Sequence, residues 1–474
     1  MERHDVLGAE GRFRSYSADL ASTLGHADRV RPFTDYCVGL LLAEGRKSVE
    51  PLAAVTAPER TAAQHQSLLH LVAQAPWSDE AVLRRVRERV LPAITREEPI
   101  QTWIVDDTGF PKKGRHSVGV TRQYCGQLGK QDNCQAAVSL SVATHRGSLP
   151  IGYRLYLPKD WAEDPIRRTT AGVPAEVTFQ TKPEIALRLI REAHADGVPP
   201  AVVLGDAAYG SDGKFRAWIA ELGMAYAVGI MPATAVWRPG EAPLPPKPWS
   251  GRGRRSTRLR RDETHQPVSA KTLAMELGPD AWQPVTWRDG TNTPLTSRFA
   301  RLRVRPAHDD LKRTEPAPEE WLPIEWPEGE TEPDHYWFAT LPADISLARM
   351  VDYAKMRWRI ERDYLELKQE VGLGHYEGRG WRGFHHHATL CIAAYGFLIS
   401  EKEILPPSGP FRAIRGTKPA ISPRGRPRPP AIAIATARSP VHRDTAPAPG
   451  TPPRPSSAKM SLLRGAASQM AKSE

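Results

Sequence analysis

No run in this 474-residue chain approaches the ~20 apolar residues that a membrane-crossing helix needs, and its first residues, "MERHDVLGAEGRFRSY", lack the apolar segment of a secretion signal. The expectation is a cytoplasmic protein without membrane partners. Cysteine is scarce as well. Cys37, Cys125, Cys134 and Cys391 are too few and too scattered for a disulfide framework, and no CxxC pair marks a structural zinc site. Cys125 and Cys134 could be neighbours on paired strands, yet two ligands do not make a site. The body of the chain also lacks net charge. The whole sequence carries +11, but residues 404–474 hold 12 Lys or Arg against two acids, which leaves 53 basic and 52 acidic groups elsewhere. The overall charge is therefore weak evidence for a nucleic-acid partner, and any such reading must rest on local patches.

The length suggests two or three domains. Residues 1–98 read as a helical region: "DYCVGLLLAEGRKSVEPLAAV" and "SLLHLVAQAPWSDEAVLRRVRERVLPAI" repeat apolar residues every three or four positions, and Ser78 followed by two acids is a helix start. From residue 99 the texture changes. "TWIVDD", "AAVSLSVAT" and "LPIGYRLYLP" read as three successive strands, followed by a helix, "KPEIALRLIREAHADG". A buried-type strand, "AVVLGD", a helix, "DGKFRAWIAELG", and a strand, "AYAVGI", complete an α/β pattern with a central sheet up to residue 232. Residues 233–340, rich in Pro, Trp and Arg, read as a β-rich insertion; residues 341–403 return to helices. Residues 404–474 read as a disordered, basic tail, since 14 prolines and few aromatics cannot bury enough surface to offset the entropy of ordering.

Three sets of acids stand where an α/β enzyme would use them. Asp106 and Asp107 end the first strand, Asp206 ends "AVVLGD", and Glu361 lies on a later helix. Converging carboxylates form an oxygen-ligand site suited to Mg²⁺, and two ions about 3.5–4 Å apart can drive phosphodiester chemistry. The bland reading is that an Asp after an apolar strand caps a turn or a helix.

The neighbourhoods of these acids carry a resemblance. "WIVDDTGFPKKG", "VVLGDAAYG" and "RWRIERDYLELKQEVGLGHYEGRGWRGFHHHATL" together resemble the DDE superfamily of transposases, in the insertion-sequence branch known as the IS seven-oh-one group, akin to the IS Four group. The resemblance runs from about Pro32 to Ser400. It implies a ribonuclease-H-like core with a mixed sheet, in which Asp107, Asp206 and Glu361 are the catalytic acids and bind two Mg²⁺ ions, for which Mn²⁺ can substitute. It also implies a β-rich insertion between the second and third acids. Asp107 is preferred because related transposases place the ligand directly before a Thr, here Thr108; strand alternation lets only one of the pair face the site, and Asp106 stays open as the alternative. The partners implied are double-stranded DNA, both element ends and target, and a second copy of the chain in the DNA complex, with the protein associated with the nucleoid.

Several basic groups are candidate DNA contacts. Arg357 and Lys368 keep the family's spacing to Glu361 and fall on its helical face, whereas Tyr353 is one residue out of place for the motif tyrosine. Trp358 reads as a core aromatic or a base-stacking ring. Lys112 and Lys113 follow the first acids and either hold a phosphate or face water. In "GRGRRSTRLRR", Arg252, Arg254, Arg255 and Arg258 belong to a cluster that reads as a phosphate clamp in an otherwise neutral body. "FHHHAT" invites a metal reading, but consecutive histidines on a helix point in different directions; His387 is the one that could approach the site. Two rivals to a transposase remain: a metal-dependent nuclease without strand transfer, and a DNA-binding protein derived from a transposase.

Overall fold

The computed structural model describes residues 8–288 and 294–404. The tail read as disordered lies outside the described residues, apart from Ile404, which ends the last helix. Among the described residues no helix is long and apolar enough to cross a membrane.

The chain opens with five helices, α1 (Ala9–Ala21), α2 (Val30–Leu42), α3 (Val49–Thr56), α4 (Thr61–Ala73) and α5 (Asp79–Ile94). Ser78 caps α5, its hydroxyl accepting the Ala81 N–H at 3.1 Å, and Asp79 and Glu80 complement the positive end of the helix. The sheet follows with β1 (Thr102–Pro111), β2 (Thr121–Cys125), β3 (Lys130–Ala143) and β4 (Ser148–Leu155). Helix α6 (Lys182–Ala195) starts at a capping box between Thr181 and Glu184 and leads to β5 (Val202–Gly205). Helix α7 (Gly213–Glu221) and β6 (Tyr226–Ile230) complete the expected strand and helix order.

Strand β3 pairs antiparallel with both β1 and β4, and β5 and β6 run parallel to β1, so the order across this part is β4, β3, β1, β5, β6. The segment read as a β-rich insertion contains β7 (Ala235–Trp237), β8 (Val268–Ser269), β9 (Gln283–Arg288), β10 (Leu295–Pro306), β11 (Glu320–Pro327) and β12 (His335–Ala339). It does not stand apart as a separate layer. Strand β12 pairs antiparallel with β6, and β11, β10, β7 and β8 extend the same sheet outward.

The two faces of β1 meet different partners. On one face Ile104 joins Leu204, Met350, Met356, Ile360 and Tyr364 in an apolar cluster, so α8 (Leu347–Lys355) and α9 (Trp358–Gln369) cover that side. Helix α6 covers the other: Gly152, opposite Leu140 in the sheet, leaves room only for Leu189 of α6, whose side chain would lie 3.1 Å from an added Cβ. The last helix among the described residues, α10 (Trp381–Ile404), joins the two ends of the described chain. Phe397 meets Phe13 edge to face at 4.9 Å, Tyr16 donates to the Ala393 carbonyl at 2.9 Å, and Arg12 pairs with Glu401 at 2.6 Å.

Candidate functional site

Helix α9 brings Glu361 to the sheet because its underside is anchored by polar and apolar contacts at once. Asp363, fully buried, accepts from the Ser148 hydroxyl at 2.7 Å and from Tyr395 at 3.0 Å, while Tyr364 meets the Ser139 hydroxyl at 2.8 Å. Burial pushes the Asp363 carboxyl up to about 7. The helical stretch that carries Glu361 breaks at Met356 and Arg357, between α8 and α9, with no Gly or Pro to mark it. Glu361 therefore falls in the first turn of its own helix. Ahead of the break, Lys355 donates to buried Glu325 at 2.7 Å and lies 4.3 Å from the Trp287 ring, which ties α8 to the outer strands.

Around this anchored helix the acids gather unequally. Arg357 donates to Asp106 Oδ2 at 3.0 Å and to Glu361 Oε1 at 2.7 Å, so one guanidinium links two carboxylates. Asp206 caps the turn Ala207–Gly210 by accepting the Ala208 N–H at 2.9 Å. Burial pushes the Asp106 carboxyl up to about 7; Arg357 opposes the rise, while the charges of Asp206 and Asp107 add to it. Tyr209 lies within the same field: its phenol is pushed well up by burial, then by Asp107, Asp106 and Asp206, and its hydroxyl has no hydrogen-bond partner among the described residues. Gly229 allows this turn to press on β6, since an added Cβ would sit 3.0 Å from the Ala207 nitrogen.

Asp107, preferred over Asp106 on the spacing to Thr108, takes the opposite face. Its Oδ2 accepts from Lys182 Nζ at 2.6 Å at the start of α6, and its cross-strand partner is Val138, whereas Asp106 stands opposite Ser139 beneath Tyr364. Period-two alternation put the two acids on different faces; which face meets α9 is decided by packing that no local pattern carries. Lys182 and Tyr209 are the residues around the acids that sequence reading did not single out. Only their positions beside a helix start and after Asp206 could have pointed to them.

The candidate DNA contacts divide into committed and exposed groups. Lys368 donates to the Gly109 carbonyl at 2.8 Å and to Gln127 at 3.2 Å, with burial pushing its ammonium down to about 8. Lys112 donates to the Tyr376 carbonyl at 3.1 Å, while Lys113 is exposed. Arg252, Arg254, Arg255 and Arg258 are exposed in the loop between β7 and β8. Arg261, from the same run, is instead spent on buried Asp310 at 2.7 Å. Five strands separate β1 from β7, so that loop is rooted roughly 30 Å along the sheet from the acids. Tyr353 accepts from Arg349 at 3.1 Å, and Trp358 is half-buried rather than part of a core cluster. His385, His386 and His387 are all buried, and their hydrogen bonds go to Leu155, Trp77 and Gly372 rather than to the acids.

The acids suit a hard dication by donor type, being all oxygen and mutually repulsive, with an orphaned hydroxyl in their field. Among the described residues no three His, Cys, Asp or Glu side chains converge enough to hold a metal unaided. Arg357 supplies the positive charge between Asp106 and Glu361.

With the geometry in place, the class of the protein follows from comparison with known sequences. The family model described as "DDE superfamily endonuclease" matches residues 19–294, more than half of the chain, and the chain belongs to that family. Members of this superfamily use divalent metal ions. The match spans Asp106, Asp107 and Asp206 and ends before Glu361. Among curated proteins, the chain is similar to a "Probable transposase for insertion sequence element IS701" from Microchaete diplosiphon, with 32% identity over 194 residues. That alignment covers 41% of this chain and spans about half the length of the relative, 47%.

Proposed function

We propose that this chain is the transposase of an insertion sequence, cutting the phosphodiester at the element's ends and joining the freed 3′-hydroxyl to a new strand. The reading is carried by one observation: Arg357 links Asp106 at 3.0 Å to Glu361 at 2.7 Å, in a field to which Asp206 contributes. Family membership and the IS701 relative support it. The strand order β4, β3, β1, β5, β6, with the last two parallel to β1, supports reading this part as a ribonuclease-H-like core.

In this proposal Asp106, Asp206 and Glu361 hold the divalent metal, Mg²⁺ as two ions. A dication there would neutralise phosphate charge and activate the attacking oxygen. The chain's own groups prepare that task. Arg357 keeps Asp106 and Glu361 apposed, and the Lys182 ammonium holds Asp107 on the far face, out of competition for the metal. Lys113 and the exposed arginines of the β7–β8 loop contact DNA phosphates, and the working form is a homodimer on DNA at the nucleoid.

The experiment is strand cleavage and joining of a duplex carrying the element's end, in Mg²⁺, with wild-type protein and Glu361→Gln. The proposal expects cleavage to fall about a thousandfold or more while duplex binding stays within a few-fold. Normal cutting and joining by Glu361→Gln would remove Glu361 from the site, and wild-type cutting without joining would make the protein a nuclease.

A further inference from the structure

The β2–β3 hairpin belongs to none of the roles above, yet it carries exposed cationic and apolar side chains together. Arg122 and Lys130 stand on the hairpin against one acid, Asp132, which pairs with Lys130 at 3.2 Å, and Lys112, Lys113 and Arg115 lie in the loop that leads into it, in a body that is otherwise nearly neutral. Arg122 and Lys130 are exposed, as are two large apolar side chains near the turn: Tyr124 at 60% and Leu128 at 41%. Tyr124 and Leu128 lie at one turn, four residues apart, where a single partner can cover both. The net positive charge around them, from exposed Arg122 and from Lys113 and Arg115 of the adjoining loop, repels a second copy of the same patch and attracts a polyanion.

The hairpin is also held in place beside the acids. Cys125 packs on Gly109 so closely that an added Cβ there would lie 2.7 Å from the Cys125 Sγ. Gln127, in the turn, accepts from Lys368 at 3.2 Å, and Asn133 donates to the carbonyls of Lys112 and Gly114 at 2.6 and 3.0 Å. Lys368 lies two helical turns beyond Glu361 on α9, a rise of about 10 Å. A two-stranded ribbon fits the DNA major groove, where cations meet phosphates and apolar side chains meet base edges.

We propose that the β2–β3 hairpin is a DNA-contacting finger, with Arg122 and Lys130 on the phosphates of a duplex and Tyr124 and Leu128 in its groove, beside the bond addressed by the acids. This rests on the reading of the chain as a protein that acts on DNA.

The test is binding of the full chain to a random-sequence duplex of about thirty base pairs, titrated between about 50 and 200 mM salt. Two paired variants are compared with wild type: Arg122→Gln with Lys130→Gln, and Tyr124→Ser with Leu128→Ser. All four side chains are exposed, so unchanged melting temperatures serve as the folding control. The charge variant is expected to make the log K against log salt slope shallower by about two, near 0.9 for each lost phosphate contact. The apolar variant is expected to bind about three- to tenfold more weakly with the slope unchanged. Variants that match wild type in affinity and slope overturn the finger, and a charge effect without an apolar effect overturns the groove contact. Wild-type protein that fails to bind the duplex overturns the DNA reading itself, a result distinct from either.

Discussion

Two regions hold clusters of residues that chemistry could use, and they behave in opposite ways. His385, His386 and His387 are adjacent in sequence, but each is consumed separately. His387 accepts from Tyr36 at 2.9 Å and donates to the Gly372 carbonyl at 3.0 Å; the His386 ring stacks on Trp77 at 3.6 Å; His385 accepts the Leu155 N–H at 3.2 Å. Burial pushes all three down to about 4, which keeps them neutral near pH 7. The acids are scattered between residues 106 and 361, yet Asp106 shares one guanidinium with Glu361 and lies in the field of Asp206 and Asp107. Density in sequence marks packing here, and convergence in space marks the candidate site.

The comparison can be broken at the histidines. His386→Ala should lower stability by about 2–4 kcal/mol, because it removes a stacked ring and deprives one buried carbonyl, that of Val72 or of Trp77, of the single N–H of the neutral imidazole. Chemical denaturation measures this, and activity per folded molecule should be unchanged. A loss of activity without a loss of stability would return the histidines to the site.

A smaller effect of opposite sign is expected at Asp106. Its folded carboxyl titrates at about 7, above the usual carboxylate range, so between about pH 4 and 7 the folded chain holds a proton that the unfolded chain releases. Stability from this group is present at low pH and lost as pH rises toward 7. In EDTA, Asp106→Asn should therefore be more stable than wild type at pH 8, on the order of 1–2 kcal/mol, with the gap closing below pH 7. Melting curves across that range decide it, and a variant less stable than wild type at pH 8 would contradict an excess of negative charge at the site.

The smallest effect belongs to the β7–β8 loop. Replacing Arg252, Arg254, Arg255 and Arg258 with Gln should leave stability within about 0.5 kcal/mol, since all four are exposed. If they touch phosphates, duplex binding should lose about 0.9 of salt slope for each. An unchanged slope would leave the arginines as a solvated loop.

Much of this architecture was legible beforehand where local pattern and burial agree. The helices of the first hundred residues, the strands around Trp103, Val138 and Val203, and helix α6 all follow apolar period, with the start of α5 marked by Ser78. Strand β2 was legible only through the expectation that Cys125 and Cys134 lie on paired strands, as they do on β2 and β3; its own sequence, "TRQYC", alternates polar residues toward solvent and offers no apolar face. The break before Trp358 was hidden because the apolar period runs straight through Met356 without Gly or Pro. The joining of β12 to β6 depends on residues a hundred positions apart, beyond any local signal. At the site, "VDDT" showed that the two acids must face opposite ways but could not show that Ile360 and Tyr364 would cover the face of Asp106.

That last point holds the central claim, and one comparison tests it most directly: Mg²⁺-dependent strand cleavage by Asp106→Asn and by Asp107→Asn, side by side on the same duplex. If Asp106 is the acid that works with Asp206 and Glu361, its variant should lose about a thousandfold or more while the Asp107 variant, deprived only of its Lys182 contact, loses about tenfold or less. A reversed order, with Asp106→Asn active and Asp107→Asn inert, would contradict the account.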